Sequence, residues 1–356
     1  MLDNVAETGK KAMVNLKDLT LSQLKDFLGE LGEPPYRALQ LARWLFQRGS
    51  LSWDEMTDLP KDLRIKLEEM TILRGLRLVQ KKVSLRGDTV KYLFGLADGQ
   101  AVESVFMRHA YGRTACISTQ VGCRMGCRFC ASTIGGLIRN LSPGEMYDQV
   151  LAMQSDVGER ITHVVMMGSG EPLDNFDHVM IFLGHLTATY GLHIGYRHIT
   201  LSTCGVVPGI LKLARMRLPL TLAVSLHAPS DELRNRLVPI NRRYPLGELI
   251  PACREYIKLT GRRITFEYAL LAGVNDSARC AFDLARLVRG LLCHINLIPA
   301  NPVHGRDFAR APAARIQRFK RLLEKAGLSV TVRRELGGDI DAACGQLRRR
   351  VLGLSG

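Results

Sequence analysis

No apolar run in this 356-residue chain approaches the roughly 18 residues needed to cross a bilayer, which argues against a helical membrane protein. The first ten residues, Met1 to Lys10, carry neither an apolar h-region nor a cleavage pattern, so secretion is not expected. A disulfide framework is missing too. The nine cysteines are an odd number, gathered in one tight group plus scattered singles. That pattern suits a reducing compartment and a metal site, so a cytoplasmic protein is expected. No internal repeat or low-complexity tract breaks the chain. Acidic residues are in short supply, 34 against 49 basic ones, and the net charge of +15 suggests a polyanionic partner. A merely basic, solvated surface has the same count, and charge alone does not separate DNA, RNA and nucleotide. What is present is core: at 46% hydrophobic residues, the chain can bury one large domain plus a small one.

The first 75 residues read as helical, over 16–31, 37–46 and about 63–73, with turn signals at Gly32-Glu33-Pro34-Pro35 and Asp58-Leu59-Pro60. Basic residues (Lys61, Arg64, Lys66, Arg74, Arg77, Lys81, Lys82) lead into an alternating segment, Val79 to Leu96, read as strands of a small extension. From Arg113 onward, strand-like runs near 113–118, 161–167, 198–202, 220–225, 264–270 and 294–298 alternate with helical patterns near 143–154, 176–189, 206–216, 246–260, 278–289 and 312–326. Six βα units imply a parallel sheet, whose reactive groups gather at the C-terminal ends of the strands. The first of these helices has a clean entry, with Ser142 as N-cap, Pro143 at the first helical position and Glu145 completing a capping box.

The motifs fall where that rule wants them. After the first strand, Cys123, Cys127 and Cys130 form a CxxxCxxC chelate, with Phe129 before the last cysteine. Zinc sites and complete iron–sulfur sites normally use four protein ligands, and no fourth cysteine or histidine follows at a pairing distance, so one coordination position is left open. Half a zinc ribbon, or a set of buried free thiols, would also place three cysteines this close. The spacing resembles the radical S-adenosylmethionine (SAM) superfamily, in which the open iron of a [4Fe–4S] cluster chelates SAM. After the second strand comes Gly168-Ser169-Gly170-Glu171-Pro172, similar to the loop that holds the SAM amino group there. Ser202 and Cys204 end the third strand, Ser225-Leu226-His227-Ala228-Pro229 the fourth, and Asn301 follows the sixth.

Ser225 to Pro229, Asp231 to Arg234, Leu237 to Asn241 and the late stretch Gly338 to Leu347 together resemble the RlmN family over nearly the whole chain. These are radical-SAM RNA methyltransferases acting on adenine C2. The resemblance implies an α/β fold, a partial (β/α)6 barrel with a small N-terminal helical domain. It divides the chain into a helical RNA-binding module resembling a helix-hairpin-helix (1–75), a β extension (76–104), the core (105–345) and a tail (346–356). It assigns the cluster to Cys123, Cys127 and Cys130, and SAM contacts to Gly170, Glu171, Ser202, Ser225, Leu226, His227 and Asn301. It makes Cys344 the methyl carrier, passing through S-methylcysteine.

The chemistry explains that cysteine: adenine C2 is too weakly nucleophilic to take a methyl directly from SAM, whereas a thiolate can. By resemblance, a second SAM is cleaved at the cluster to a radical that activates the methylated sulfur, so two are used per turnover. Cys116 is the resolving thiol that forms a transient disulfide with Cys344, and Glu103 is the proton acceptor. Cys116 alone would read as a buried structural cysteine and Glu103 alone as a surface carboxylate. Cys204 and Ser169 depart from residues common in these loops, and neither is a ligand. The implied partners are adenosine 2503 of 23S rRNA, adenosine at position 37 of tRNA and a flavodoxin-like electron donor, with a monomer sufficient. Two alternatives stay open: a Cfr-type enzyme methylating C8 of the same base, and an RNA-binding protein whose iron–sulfur or zinc site is only structural.

Overall fold

The computed structural model describes residues 13–73, 75–301 and 306–333, together with Ile340 and Leu347. A short strand, β1 (Val14–Asn15), leads into α1 (Leu21–Glu30), where Thr20 and Gln23 cap each other and Leu24 and Leu28, one turn apart, bury the inner face. α2 (Tyr36–Ala42) runs on into a wider π-type turn over Arg43–Arg48, which buries Trp44, Leu45 and Phe46. Gly49 stops it in the left-handed conformation, φ 64°. α3 (Lys61–Met70) buries Leu63 and Leu67, and β2 (Thr71–Ile72) closes the module by pairing with β1.

Four antiparallel neighbours follow: β3 (Leu76–Val83), β4 (Thr89–Leu96), β5 (Ala101–His109) and β6 (Gly112–Cys116). Next, β7 (Gln120–Gly122) and β8 (Leu137–Asn140) pair with each other and flank the cysteine loop. Helices and strands then alternate: α4 (Pro143–Val157), β9 (His163–Met166), α5 (Phe176–Thr187), β10 (Ile199–Thr203), α6 (Val207–Met216), β11 (Thr221–Ser225), α7 (Asp231–Leu237), α8 (Leu246–Thr260), β12 (Ile264–Leu270), α9 (Ala278–Leu287), β13 (Cys293–Pro299), α10 (Ala313–Lys325) and β14 (Val330–Val332). Ten strands make one sheet in the order β14-β13-β12-β11-β10-β9-β6-β5-β4-β3. β6 and β9 to β14 run parallel, since each connection between them crosses over through a helix. The six βα units are present, with β14 added as a seventh parallel strand.

The extension is not a separate piece. β3, β4 and β5 continue the same sheet beyond β6, and residue 104, where a boundary was expected, lies inside β5. Alternation along β5 sorts its side chains between two faces. Val102 and Phe106 join the main core with Ala115, Val164, Tyr147 and Val150 on the helix side. Val105 and Met107 lie on the opposite face with Cys116, Val165 and Met167.

The module is held to α4 by buried polar contacts. Lys17 Nζ reaches Asp148 Oδ1 and the Leu73 carbonyl, both at 2.6 Å, and Asp148 Oδ2 accepts the Gly75 N–H at 2.8 Å. Asp18 accepts the Gly144 N–H in the first turn of α4 at 2.7 Å. Tyr147 donates to the Phe46 carbonyl at 2.8 Å. Among the described residues no helix is long and apolar enough to cross a membrane.

Candidate active site

The cysteine loop is closed by its glycines. Gly122 has φ 78°, and a Cβ there would sit 2.1 Å from the Gly136 carbonyl oxygen, the same oxygen that accepts the Cys123 N–H at 2.9 Å. Thr133 donates to the carbonyls of Cys127 and Cys130 at 2.9 and 3.0 Å, and Arg128 N–H donates to Leu237 of α7 at 2.9 Å. Arg124 forks onto Asp174 with two 2.8 Å bonds, which ties the loop to the segment after β9. Cys123 and Cys127 pack in an apolar shell of Met125, Phe129, Leu237, Val238 and Leu271. Burial pushes Cys123 up to about 12, and burial followed by Cys130 and Cys123 pushes Cys127 well above the usual thiol value.

Cys123 is buried and Cys127 and Cys130 are half-buried, and the thiols act on one another electrostatically, so three thiolates here call for a cationic group to bind them. Among the described residues no three Cys, His, Asp or Glu side chains form a set able to hold a single metal ion. Three clustered thiols are the kind of donor that an iron–sulfur cluster takes.

Around the loop the strand ends are braced to each other. Gly170, φ 108°, lets the backbone pass Gln120 where a Cβ would come within 2.6 Å of the Gln120 Cβ. Glu171 is buried; its Oε1 accepts the Leu173 N–H at 3.0 Å and its Oε2 the Cys204 N–H at 2.7 Å, joining the β9 loop to the end of β10. Burial pushes this carboxyl up and the amide bonds pull it down. The Cys204 and Thr203 side chains bond the same carboxylate, so its first task is the brace.

His227, at φ 58°, is a non-glycine residue in the left-handed region. Its carbonyl accepts from Asn275 at 2.8 Å and its Nδ1 accepts the Ala269 N–H at 3.0 Å, so Nε2 carries the proton in the neutral ring. Burial, then the Arg234 cation, pushes the imidazole down to about 3. The Phe129 ring packs edge-on against it at 4.8 Å. Ser202 and Ser225 are half-buried at the ends of β10 and β11, the Leu226 side chain is fully covered, and Asn301 is exposed beyond β13.

A second group lies on the inner face of β4 to β6. Val105 of β5 pairs with Cys116 of β6, so Glu103, two residues along, is the diagonal neighbour of Cys116 on one face. Glu103 is not a surface carboxylate: it is buried and meets the fully buried Lys91 at 2.9 Å. Leu347 packs there against Leu93 and Ala101. Cys344 lies outside the described residues.

The chain matches two families in succession: the ribosomal RNA large subunit methyltransferase N-terminal domain over residues 14–73, and the radical SAM superfamily over residues 117–283. A protein named "Probable dual-specificity RNA methyltransferase RlmN" from Desulforamulus reducens is 63% identical over 337 residues, covering 95% of this chain and 96% of that one. One of the same name from Pelotomaculum thermopropionicum is 62% identical, covering 95% and 92%. The chain belongs to the RlmN family. The crystal structure of a radical SAM methyltransferase from Sphaerobacter thermophilus superimposes with a TM-score of 0.90 at 48% identity, covering 94% of this chain and 98% of that one. This RlmN-family protein is a radical SAM RNA methyltransferase, and the superfamily implies a [4Fe–4S] cluster and SAM.

Several residues of this RlmN chain escaped sequence reasoning. Lys91 is the one lysine inside the otherwise uncharged run Thr89 to Leu96, a signal that could have marked it as buried and paired. Asn275 bonds three backbone groups, Leu271 N–H and the carbonyls of His227 and Ala269, with nothing in the sequence to flag it. Arg234 belongs to a quoted motif but gave no sign that its guanidinium is buried. Of the basic residues singled out, Lys61, Lys66, Arg77 and Lys81 are exposed, and Lys81 also pairs with Asp156 at 2.5 Å. Reversing its charge would therefore test that ion pair before it tested RNA.

Proposed function

We propose that this RNA methyltransferase acts on C2 of adenosine, in 23S rRNA (adenosine 2503) and in tRNA (position 37), through S-methylcysteine at Cys344. The observation that carries the reading is the shared inner face of Glu103 and Cys116, with Leu347, three residues past Cys344, seated beside it on β4 and β5. Cys123, Cys127 and Cys130 would hold the cluster, which when bound supplies the electron for reductive cleavage of SAM. Gly170, Glu171, Ser202, Ser225, Leu226, His227 and Asn301 would contact SAM, two molecules of which serve each turnover. Cys344, as thiolate, accepts the methyl carbon. That carbon loses a hydrogen atom to the radical from the second SAM and bonds to C2, and the adduct returns the one electron that SAM cleavage consumed. Glu103 takes the C2 proton, and the Cys116 thiolate attacks the Cys344 sulfur. The sulfur–carbon bond breaks with its electron pair on the carbon, which takes up a proton to complete the methyl group and leaves a Cys116–Cys344 disulfide.

The adenine must leave its stack to reach this face. The exposed Lys61, Lys66 and Arg77 of the basic module and of β3 supply a grip on the RNA backbone. The setting is the reducing cytoplasm, with a flavodoxin-like donor and a monomeric enzyme.

The test is anaerobic incubation of RNA with reconstituted protein, SAM and reductant, followed by mass spectrometry of the nucleosides. 2-Methyladenosine is expected, falling at least a hundredfold with Cys344→Ala. 8-Methyladenosine would move the chain to the Cfr-type reaction, and neither product, from protein with a full cluster, would overturn the assignment.

A further inference from the structure

Arg234 on α7 is fully buried and, among the described residues, donates only to neutral acceptors. Nε bonds the Leu226 carbonyl at 3.1 Å, Nη1 the Asn241 Oδ1 at 2.8 Å, and Nη2 the carbonyls of Cys204 at 2.6 Å and Ser225 at 3.2 Å. A guanidinium stays charged, and a buried charge needs a counter-charge. None of these bonds supplies one. Asp231, on the same helix, is not among its bonding partners. Asp231 is exposed and accepts from Asn241 and the Leu246 N–H, both at 2.8 Å. Cys204, whose carbonyl takes the shortest of the four bonds, packs beside Cys123 and Cys127. The cation thus stands directly behind the cysteine loop, across one residue of β10's end.

We propose that Arg234 is the built-in counter-charge of the iron–sulfur site, stabilising the cluster on its cysteines and raising its reduction potential. This rests on the reading that Cys123, Cys127 and Cys130 hold a [4Fe–4S] cluster. Three thiolates with a doubly positive cluster core carry one net negative charge, and one-electron reduction makes it two. A fixed cation in a low-dielectric site favours the more negative state, and net charge is one of the terms that set such potentials. The same side chain fixes the ends of β10 and β11, so charge and geometry must be separated by experiment.

The experiment is an anaerobic redox titration of the reconstituted full-length protein, followed by electron paramagnetic resonance of the reduced cluster, with iron and sulfide assayed first. Arg234→Gln is expected to hold at least tenfold less reduced cluster at a given potential, equivalent to 59 mV for one electron. Arg234→Lys, which keeps the charge but loses the fork, is expected to stay within threefold of wild type. A second variant keeps every charge and moves one: Asp231→Asn with Asn241→Asp places a carboxylate on the guanidinium, and its midpoint is expected to fall as with Arg234→Gln. If Arg234→Gln does not fold, this pair decides alone. An unchanged midpoint in a fully loaded Gln or charge-moved variant, or a Lys variant as low as Gln, overturns the proposal. Wild-type protein that takes up no iron and sulfide overturns the cysteine reading instead.

Discussion

Lys91 and Glu103 meet at 2.9 Å with both side chains out of solvent, on neighbouring strands of the face that also carries Cys116. Removing one partner of such a pair strands the other charge in a poor solvent. Lys91→Met is therefore expected to cost about 3–5 kcal/mol in urea unfolding, whereas Lys91→Met with Glu103→Leu recovers most of that loss. Equal destabilisation by single and double variants would show that the pair does not carry the effect. The pair also shows what was legible at this scale. Cysteines, glycines and the entry to α4 announce themselves, because chelate spacing, positive φ and capping each demand particular residue types. Glu103 alone read as a surface carboxylate, since its burial comes with the pairing of β5 to β4 and the buried Lys91 there, which sequence spacing does not show. Arg234 was opaque for the same reason: its partners Cys204, Ser225 and Leu226 converge only when β10 and β11 lie side by side.

Among the elements, the hairpin of β7 and β8 closes the cysteine loop, and Gly122 is its narrowest point. An alanine there would have to hold φ near 78° with its Cβ 2.1 Å from a carbonyl oxygen, so the hairpin must open. Gly122→Ala is expected to retain under a tenth of the wild-type iron after reconstitution while its far-UV circular dichroism stays unchanged, because the hairpin lies outside the ten-stranded sheet. Full iron loading in that variant would mean that the loop does not need this closure. The longer elements were visible in advance: all six βα units fall within a few residues of where hydrophobic periodicity and caps put them. What was missed lay at the two ends of the sheet. β14 spans only three residues, and the strands read over Val79 to Leu96 do form, but as part of the main sheet, which continues to them through β5 (Ala101–His109).

At the scale of the whole molecule, the N-terminal module and the sheet share one continuous core, and Lys17–Asp148 is its central polar fastening. Lys17 closes that fastening with the Leu73 carbonyl, while Asp148 also holds the Gly75 N–H, so the pair grips both ends of the module against α4. Lys17→Met leaves Asp148 buried without its cation, at a cost of about 3–5 kcal/mol that falls on the junction and not on the sheet. The chain offers a direct reading of this, because its two tryptophans, Trp44 and Trp53, both lie in the module. In wild type, tryptophan fluorescence and far-UV circular dichroism should report a single coincident unfolding transition, as a shared core requires. In Lys17→Met the fluorescence transition is expected at clearly lower denaturant than the dichroism transition, as the module comes away before the sheet melts. Coincident transitions in the variant, shifted together, would instead make module and sheet one cooperative unit. The basic module would then be able to move toward RNA only as a rigid part of the enzyme.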